Sequence, residues 1–193
     1  MKIQVISGCR YTARMSASGE SDAPEPRGLT GDQLAAWRGF VKLAQTLPAV
    51  LESQLQQDAK LSFIEYHVLA HLSEQPERRM RMSDLATLAS SELSRMSHMV
   101  TRLEKRGFVC REPDPRNGRY TQVVLTDAGF AHLAATAPGH AVRVLDVFVD
   151  VLTPTELRTL HRISDKVIAR IDGEQREAAG DRRAVGTAEA LTT

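Results

Sequence analysis

Apolar residues recur at helical spacing over most of the chain, and local signals mark where the helices begin. A Thr or Ser followed three residues later by Gln or Glu, with apolar residues on both sides, forms a capping box with a hydrophobic staple. This pattern starts at Thr30, at Ser62 and at Thr153. At the third site Pro154 takes the first helical position, where its missing N–H costs nothing. The sequence therefore predicts three helix starts at these points.

The predicted helices differ in length and in how they end. The first is long, its apolar residues follow a seven-residue repeat typical of helices that pack lengthwise, and Pro48 is expected to kink it. The others cover Ser62–Glu74, Ser83–Ala89, Glu92–Arg106, Thr126–Val151 and Pro154–Ile171. Gly107 is a natural C-terminal glycine for the fourth helix. Pro138-Gly139 is expected to break the fifth.

Between the fourth and fifth helices the pattern changes to that of strands. The segments Phe108–Arg111 and Tyr120–Leu125 read as two short strands, and Asn117-Gly118 between them is a strong signal for a hairpin turn. A helix-turn-helix followed by a hairpin predicts a winged helix-turn-helix over residues 61–125. The fold class is therefore mainly α with a small β-hairpin wing.

Two terminal segments lack this patterning. Residues 1–28 are rich in Ser, Gly, Pro and Glu, and residues 174–193 have a similar character. Such segments bury too little apolar surface to offset the entropy lost on ordering. We expect both to be flexible tails, flanking long amphipathic helices at 29–60 and 126–173.

Composition narrows the class of protein without deciding its function. Of the 193 residues 42% are hydrophobic and 25% charged, and the net charge is only +1, as in an ordinary globular protein. No apolar run approaches the roughly 20 residues that span a bilayer, so we expect no membrane partner. The two cysteines, Cys9 and Cys110, are too far apart for a disulfide framework, which favours a cytoplasmic location.

The segment Glu92–Arg106 has the two faces of a DNA-recognition helix. Leu93, Met96, Val100 and Leu103 fall at helical spacing and are expected to face inward. The residues left outside are polar or basic: Ser94, Arg95, Ser97, His98 and Arg102. Arginine binds guanine through two hydrogen bonds, and serine bonds phosphate or base, so this face suits the major groove of double-stranded DNA.

Positive charge concentrates around this helix and the hairpin. Residues 78–119 contain 10 Arg and Lys against 5 Asp and Glu, although the whole chain is nearly neutral. Phosphate contacts supply most of the non-specific affinity for DNA, so this polarisation favours a DNA-binding face. Arg116, Asn117 and Arg119 lie at the predicted tip of the hairpin, from which a narrow ribbon can reach a minor groove.

These residues form a pattern known from one family. The segments are Leu85-Ala86, residues 97–109 with Leu103-Glu104-Lys105-Arg106-Gly107, Arg111, residues 114–119, and Val124-Leu125-Thr126-Asp127-Ala128-Gly129. Together they resemble the MarR family of bacterial transcriptional regulators, over about Leu29 to Ile171.

The resemblance implies a repressor that binds a pseudo-palindromic operator as a homodimer. The helical segments 29–60 and 126–173 would then interleave between subunits as dimerisation helices. The residues reading the groove would be Ser94, Arg95, Ser97 and His98, with Arg116 and Arg119 in the wing. Many members release DNA on binding a small aromatic ligand, so a small-molecule effector is a further expected partner.

Other candidate sites carry weaker signals. His67 and His71 lie four residues apart on one helix, a spacing that can hold a metal, but no metalloprotease motif completes it, and we expect no metal and no cofactor. Trp37, Phe40 and Tyr66 could line a ligand pocket together with His67, although such residues are more often plain core. No phosphate loop, nucleophile elbow or carboxylate pair indicates an enzyme.

Two other functions remain open from the sequence alone. A winged helix can mediate protein assembly without DNA, but an interaction module would show apolar residues where this chain has polar ones. A redox-controlled regulator could act through Cys9 or Cys110. Cys9 lies in the segment expected to be flexible, with no helix end or fixed cation evident to lower its pKa, and Cys110 lies on a predicted strand of the wing, where we expect it to pack inward.

Overall fold

The computed structural model describes residues 28–115 and 117–190, with side chains as far as residue 174. The predicted N-terminal tail lies almost wholly outside these residues. The chain divides into two compact units, with the boundary between Phe40 and Val41. Within the described residues there are six α-helices: α1 Gly31–Ala59, α2 Phe63–Glu74, α3 Met82–Leu88, α4 Leu93–Lys105, α5 Asp127–Val144 and α6 Pro154–Ala190.

All three predicted helix starts form as capping interactions. The N–H of Thr30 donates to Gln33 Oε1 at 3.0 Å. At the start of α2 the bonds are reciprocal, since the N–H of Glu65 donates to Ser62 Oγ at 3.2 Å and the N–H of Ser62 to Glu65 Oε2 at 3.0 Å. Before α6 the N–H of Thr153 donates to a carboxylate oxygen of Glu156 at 2.8 Å, and this bond lowers the pKa of that carboxyl.

The helices are less interrupted than expected. Helix α1 runs without interruption through Pro48, at which a kink is predicted, and buries Leu51 and Leu55 beyond it. The expected break in α5 is wrong, since the helix passes Pro138 and ends at Val144, where a π-helical turn, Leu145–Val149, follows. Helix α6 also continues beyond Ile171, its predicted end, through most of the segment expected to be a tail.

The sheet has one strand more than predicted. Its strands are β1 Arg79–Arg81, β2 Val109–Asp114 and β3 Asn117–Leu125, antiparallel in the order β1-β3-β2. The three residues of β1 are too few to show strand alternation in the sequence. The prediction that Asn117-Gly118 forms the hairpin turn is wrong. Asn117 pairs with Asp114 of β2, and both Asn117 and Gly118 belong to β3.

One core joins α2, α3, α4 and the sheet. Leu69, Leu85, Leu103 and Val123 have no solvent-exposed surface. Since each of these elements contributes a side chain to the same cluster, α4 is held with one fixed face turned outward. No helix among the described residues is long and apolar enough to cross a membrane.

A junction of three helices lies at the end of α1. The guanidinium of Arg106, just after α4, donates to the carbonyl of Lys60 at 2.8 Å and to that of Ala59 at 3.2 Å. His132 of α5 bonds the same Ala59 carbonyl at 3.0 Å and stacks on Phe108. The last turn of α1 is thereby fixed to both α4 and α5.

Candidate nucleic-acid interface

Helix α4 presents the polar face that its sequence predicts. Ser94, Arg95 and His98 are exposed, and Ser97 is half-buried. The buried residues are Met96, Met99, Val100 and Leu103. The polar side chains therefore lie on the first two turns of a helix whose opposite face is anchored in the core.

The prediction that Leu93 faces inward is wrong. Its side chain is 54% exposed, and Met99, which was not predicted to be buried, is in the core instead. The cause is the position of Leu93 at the first residue of α4, one turn before the core contacts begin at Met96. An apolar group therefore stands among the polar ones at the exposed start of the helix.

Arg102 is partly committed to a contact within the protein. Its Nε lies 3.2 Å from Oε1 of the buried Glu65, which also caps α2. The guanidinium itself is largely exposed, so it can still approach a phosphate at its open edge. Within the fold, its ion pair compensates the charge of Glu65 and connects α4 to α2.

The wing places Asn117 and Arg119 in solvent at the start of β3. The amide oxygen of Asn117 accepts the backbone N–H of Arg119 at 3.1 Å, so the two residues form a local turn-like contact. Arg116 lies outside the described residues. Arg119 is thus the wing cation that the structure places.

Arg111 of β2 braces α4, a role that the residue patterns did not reveal. Its guanidinium donates to the carbonyl of Ser97 at 2.8 Å, to the hydroxyl of Thr101 at 2.9 Å and to the carboxylate of Glu104. Its backbone N–H also donates to Glu104 at 3.2 Å. Its only sequence signal was its place in the family pattern, since spacing does not show which arginine reaches an adjacent helix.

Most other basic residues of this region are already paired. Arg78 pairs with Asp127 at 3.1 Å. Arg79 and Arg81 pair across the sheet with Glu112 at 3.4 Å and with Asp114 at 2.6 Å. Among the described residues of the basic region, those without an ion pair or side-chain hydrogen bond are Arg95, Lys105 and Arg119. Five of the nine described Arg and Lys residues of this region therefore form ion pairs within the fold, Arg106 bonds backbone carbonyls, and these three remain for a ligand.

A groove of about 320 Å³ separates the start of α4 from the wing. Its lining combines hydroxyls, guanidinium groups and two exposed apolar side chains: Ser83, Leu93, Ser97, Arg111, Arg119 and Tyr120. Donors of this kind bind anionic oxygens such as those of phosphate, while a polar helix face beside them can reach base edges. The arrangement suits a nucleic-acid backbone running between helix and wing.

A separate cluster of rings lies between α2 and α5. His140 is buried, its ring centroid is 4.3 Å from that of Tyr66 and 6.2 Å from that of His67, and its Nδ1 lies 3.2 Å from the amide oxygen of Gln54. Burial, with a smaller contribution from His67, lowers the pKa of His140, and burial raises the pKa of Tyr66. Both effects favour the neutral form of His140.

His140 should make stability depend on pH. In the unfolded chain the imidazole binds a proton near its ordinary pKa of about 6.5, whereas the folded protein resists that proton. Stability is then fully present above about pH 6.5 and declines as the pH falls below it. We expect His140→Gln to flatten this decline in urea titrations between pH 7.5 and 5.5. His98→Gln, which removes an exposed imidazole, is the control, and equal slopes for both variants would contradict this role.

The four residues predicted to line a ligand pocket lie in two pairs. In the first unit Trp37 and Phe40 are exposed, with ring centroids 6.0 Å apart. In the second unit His67 lines a cavity of about 210 Å³ beside Phe63 and α3, while Tyr66 packs on His140. His67 donates to the Phe63 carbonyl at 2.8 Å, and no group of three metal-binding side chains occurs among the described residues.

The cysteines offer little to a redox mechanism within the described residues. Cys110 is half-buried on β2, and burial followed by the charges of Glu112 and Glu104 raises the pKa of its thiol. A raised pKa reduces the fraction of reactive thiolate. Cys9 lies outside the described residues.

Comparison with known structures decides the family. The chain is 41% identical to Sco3205 of Streptomyces coelicolor, a MarR family transcriptional regulator solved in complex with DNA. The match covers 75% of this chain and 91% of that one, with a TM-score of 0.71. The chain belongs to the MarR family.

Further comparisons agree with this assignment. The MarR family model matches residues 61–121, which contain α2 to α4 and most of the wing. This MarR chain is also 35% identical to AbsC of Streptomyces coelicolor, over 77% of this chain and 99% of that one, with a TM-score of 0.72. YkoM of Bacillus subtilis, an HTH-type transcriptional regulator, is 28% identical over 58% of this chain and 73% of its own length. The family and these relatives are transcriptional regulators and not enzymes.

Proposed function

We propose that this MarR-family regulator binds double-stranded DNA in the bacterial cytoplasm, as a homodimer on a pseudo-palindromic operator, and acts as a repressor. The observation that carries the proposal is the pair of uncommitted arginines, Arg95 in the exposed polar face of α4 and Arg119 exposed on the wing. Arg95 is positioned for a base edge and Arg119 for the backbone or minor groove. Sco3205, which is 41% identical, was solved in complex with DNA, and this supports a DNA-binding role for the chain.

The dimer is supported by apolar residues that the single chain leaves in solvent. On α6 these are Ile163, Val167, Ile168 and Ile171, and Val142, Leu145 and Val151 precede that helix. Exposed apolar surface of this extent marks an interaction site, and its helical spacing fits a second helix. A second copy of the chain also matches the two-fold symmetry of a palindromic site.

An aromatic effector is a further part of the proposal. The cavity beside His67 measures about 210 Å³ and its lining is mainly apolar. A dry apolar cavity of about 150 Å³ is enough to hold benzene. A ligand with a single ring would fit there, against α2 and α3, where it could shift the recognition helix that packs on α3.

The test is fluorescence anisotropy on a duplex selected from genomic DNA, over a salt series. We expect Arg95→Ala to weaken binding by about 5- to 150-fold and to relax specificity at one base pair. We expect Arg119→Ala to weaken binding to all DNA sequences alike and to lower the slope of log K against log salt concentration by about 1. The saturated complex should contain two chains per duplex.

Arg158→Ala is the matched control, because this exposed arginine of α6 bonds only the hydroxyl of Thr155 within the described residues. Its affinity should equal that of the unaltered protein. If a sequence is recovered but all three variants bind it equally, DNA binding stands and the assignment of Arg95 and Arg119 to it fails. If genomic selection recovers no sequence, the DNA-binding proposal fails. The same winged helix would then be assigned to protein assembly.

A further inference from the structure

Leu93 is an apolar residue that lies outside the core. It is the first residue of α4 and is 54% exposed, beside Ser94 and Arg95. In helix-turn-helix proteins the N-terminal residues of the recognition helix contact base edges. An exposed leucine at that point therefore faces the ligand of the helix.

The surroundings of Leu93 define the chemistry of that ligand. Leu93 and Ser97 lie on one wall of the groove between α4 and the wing, and Arg119 and Tyr120 lie on the wing side. Tyr120 is also half-exposed, at 50%. The groove therefore offers the guanidinium of Arg119 for an anion together with apolar surface for a hydrocarbon group of the same ligand.

On the major-groove edges of B-DNA, the hydrocarbon group is the 5-methyl of thymine. We propose that Leu93 is a specificity-determining residue that recognises a thymine methyl group in each half-site. The inference rests on the proposed DNA-binding function and adds the identity of a base to it. Deoxyribose, the other apolar part of DNA, is the same at every position and would give no sequence preference.

The position of Leu93 is fixed well enough for such a contact. The helix is anchored one turn later by Met96, which is completely buried. On the wing side Arg111 holds the carbonyl of Ser97, one turn after Leu93, at 2.8 Å. A methyl contact requires this kind of fixed distance, because dispersion attraction falls off over about 1 Å.

The experiment removes only the methyl group. Each thymine of a genomically selected duplex is replaced in turn by deoxyuridine, which keeps every hydrogen-bonding group, and binding is measured by anisotropy. Replacement at one position in each half-site should lower the affinity about fourfold, the value expected for one buried methyl. Leu93→Ala should lower the affinity for the thymine duplex by a similar factor. For this variant, deoxyuridine at that position should cause no further loss of affinity.

Two controls separate this inference from the function on which it rests. Arg119→Ala should bind more weakly but keep the full thymine preference, and thermal unfolding of Leu93→Ala should match that of the unaltered protein. If the protein binds DNA but no deoxyuridine matters, or if Leu93→Ala retains the preference, the assignment of Leu93 is overturned and DNA binding stands. If the unaltered protein binds no selected duplex, both are overturned.

Discussion

Gly129→Ala is expected to lower the free energy of unfolding by about 3 kcal/mol or more, at the upper end of what overpacking costs. An added Cβ would lie 2.1 Å from the carbonyl oxygen of Phe108 and 2.8 Å from a methyl carbon of Leu125. The first of these is backbone, so a rotamer change cannot relieve it. Either α5 or the segment after α4 would have to move.

The contact is tight because the start of α5 is bonded to the segment that follows α4. The hydroxyl of Thr126 donates to the carbonyl of Gly107 at 2.7 Å and accepts the N–H of Gly129 at 3.0 Å. Glycine at 129 allows the helix to approach this closely. The resulting geometry explains why Thr126 and Gly129 occur together after β3.

Urea denaturation of the two α5 variants Gly129→Ala and Gly139→Ala measures the effect. A Cβ at Gly139 would come no nearer than 3.6 Å to Gln54, an ordinary contact. Since alanine is the better helix former, Gly139→Ala should be neutral or stabilising by up to about 1 kcal/mol. Equal midpoints for both variants would show that the close approach at Phe108 is not maintained in solution.

Arg111→Ala is expected to lower the free energy of unfolding by about 2–3 kcal/mol. The variant removes the bonds from the guanidinium to Ser97, Thr101 and Glu104, one of them an ion pair, and hydrogen bonds to charged groups contribute about 1.5–3 kcal/mol each. The loss stays below their sum because Glu104 is partly exposed and can be hydrated. The wing would also lose its fixed distance from α4.

Arg95→Ala is the matched comparison, since Arg95 is exposed and has no ion pair among the described residues. It should change stability by less than about 0.5 kcal/mol while it weakens DNA binding. Arg111→Ala should instead reduce both stability and the discrimination between operator and random DNA. An Arg111→Ala midpoint indistinguishable from that of Arg95→Ala would rule out the bracing role.

The helix starts were predictable because their causes are local. Ser62 and Glu65 satisfy each other within one turn, and the pattern is visible in four residues. The hairpin turn was not, because the pairing of Asn117 with Asp114 depends on the register of two strands. β1 was missed for the same reason, since its residues become a strand only by bonding to β3.

The sequence predicted which positions of α4 are exposed, but it did not predict which charged side chains around them form ion pairs. The exposed positions of α4 follow from helical periodicity, but the partners of its neighbouring arginines are set by tertiary contacts. Arg81, for example, lies 33 residues before Asp114 and bonds it at 2.6 Å. A count of charges therefore overstates the cations that remain for DNA. Leu93 was misplaced because periodicity gives a direction around the helix and not the point at which the core ends.

The junction at the carbonyl of Ala59 fixes the C-terminal end of α4. Helix α4 has 13 residues and, at about 1.5 Å per residue, is about 20 Å long. Arg106 anchors its C-terminal end to α1, and the groove-facing residues lie at the opposite end. A tilt of about 10° about that anchor would displace Ser94 by about 3 Å, the length of a hydrogen bond. Such a tilt would also have to displace the buried Met96 and the carbonyl of Ser97 that Arg111 holds, so a rearrangement of α1 reaches the polar face of α4 only together with the wing.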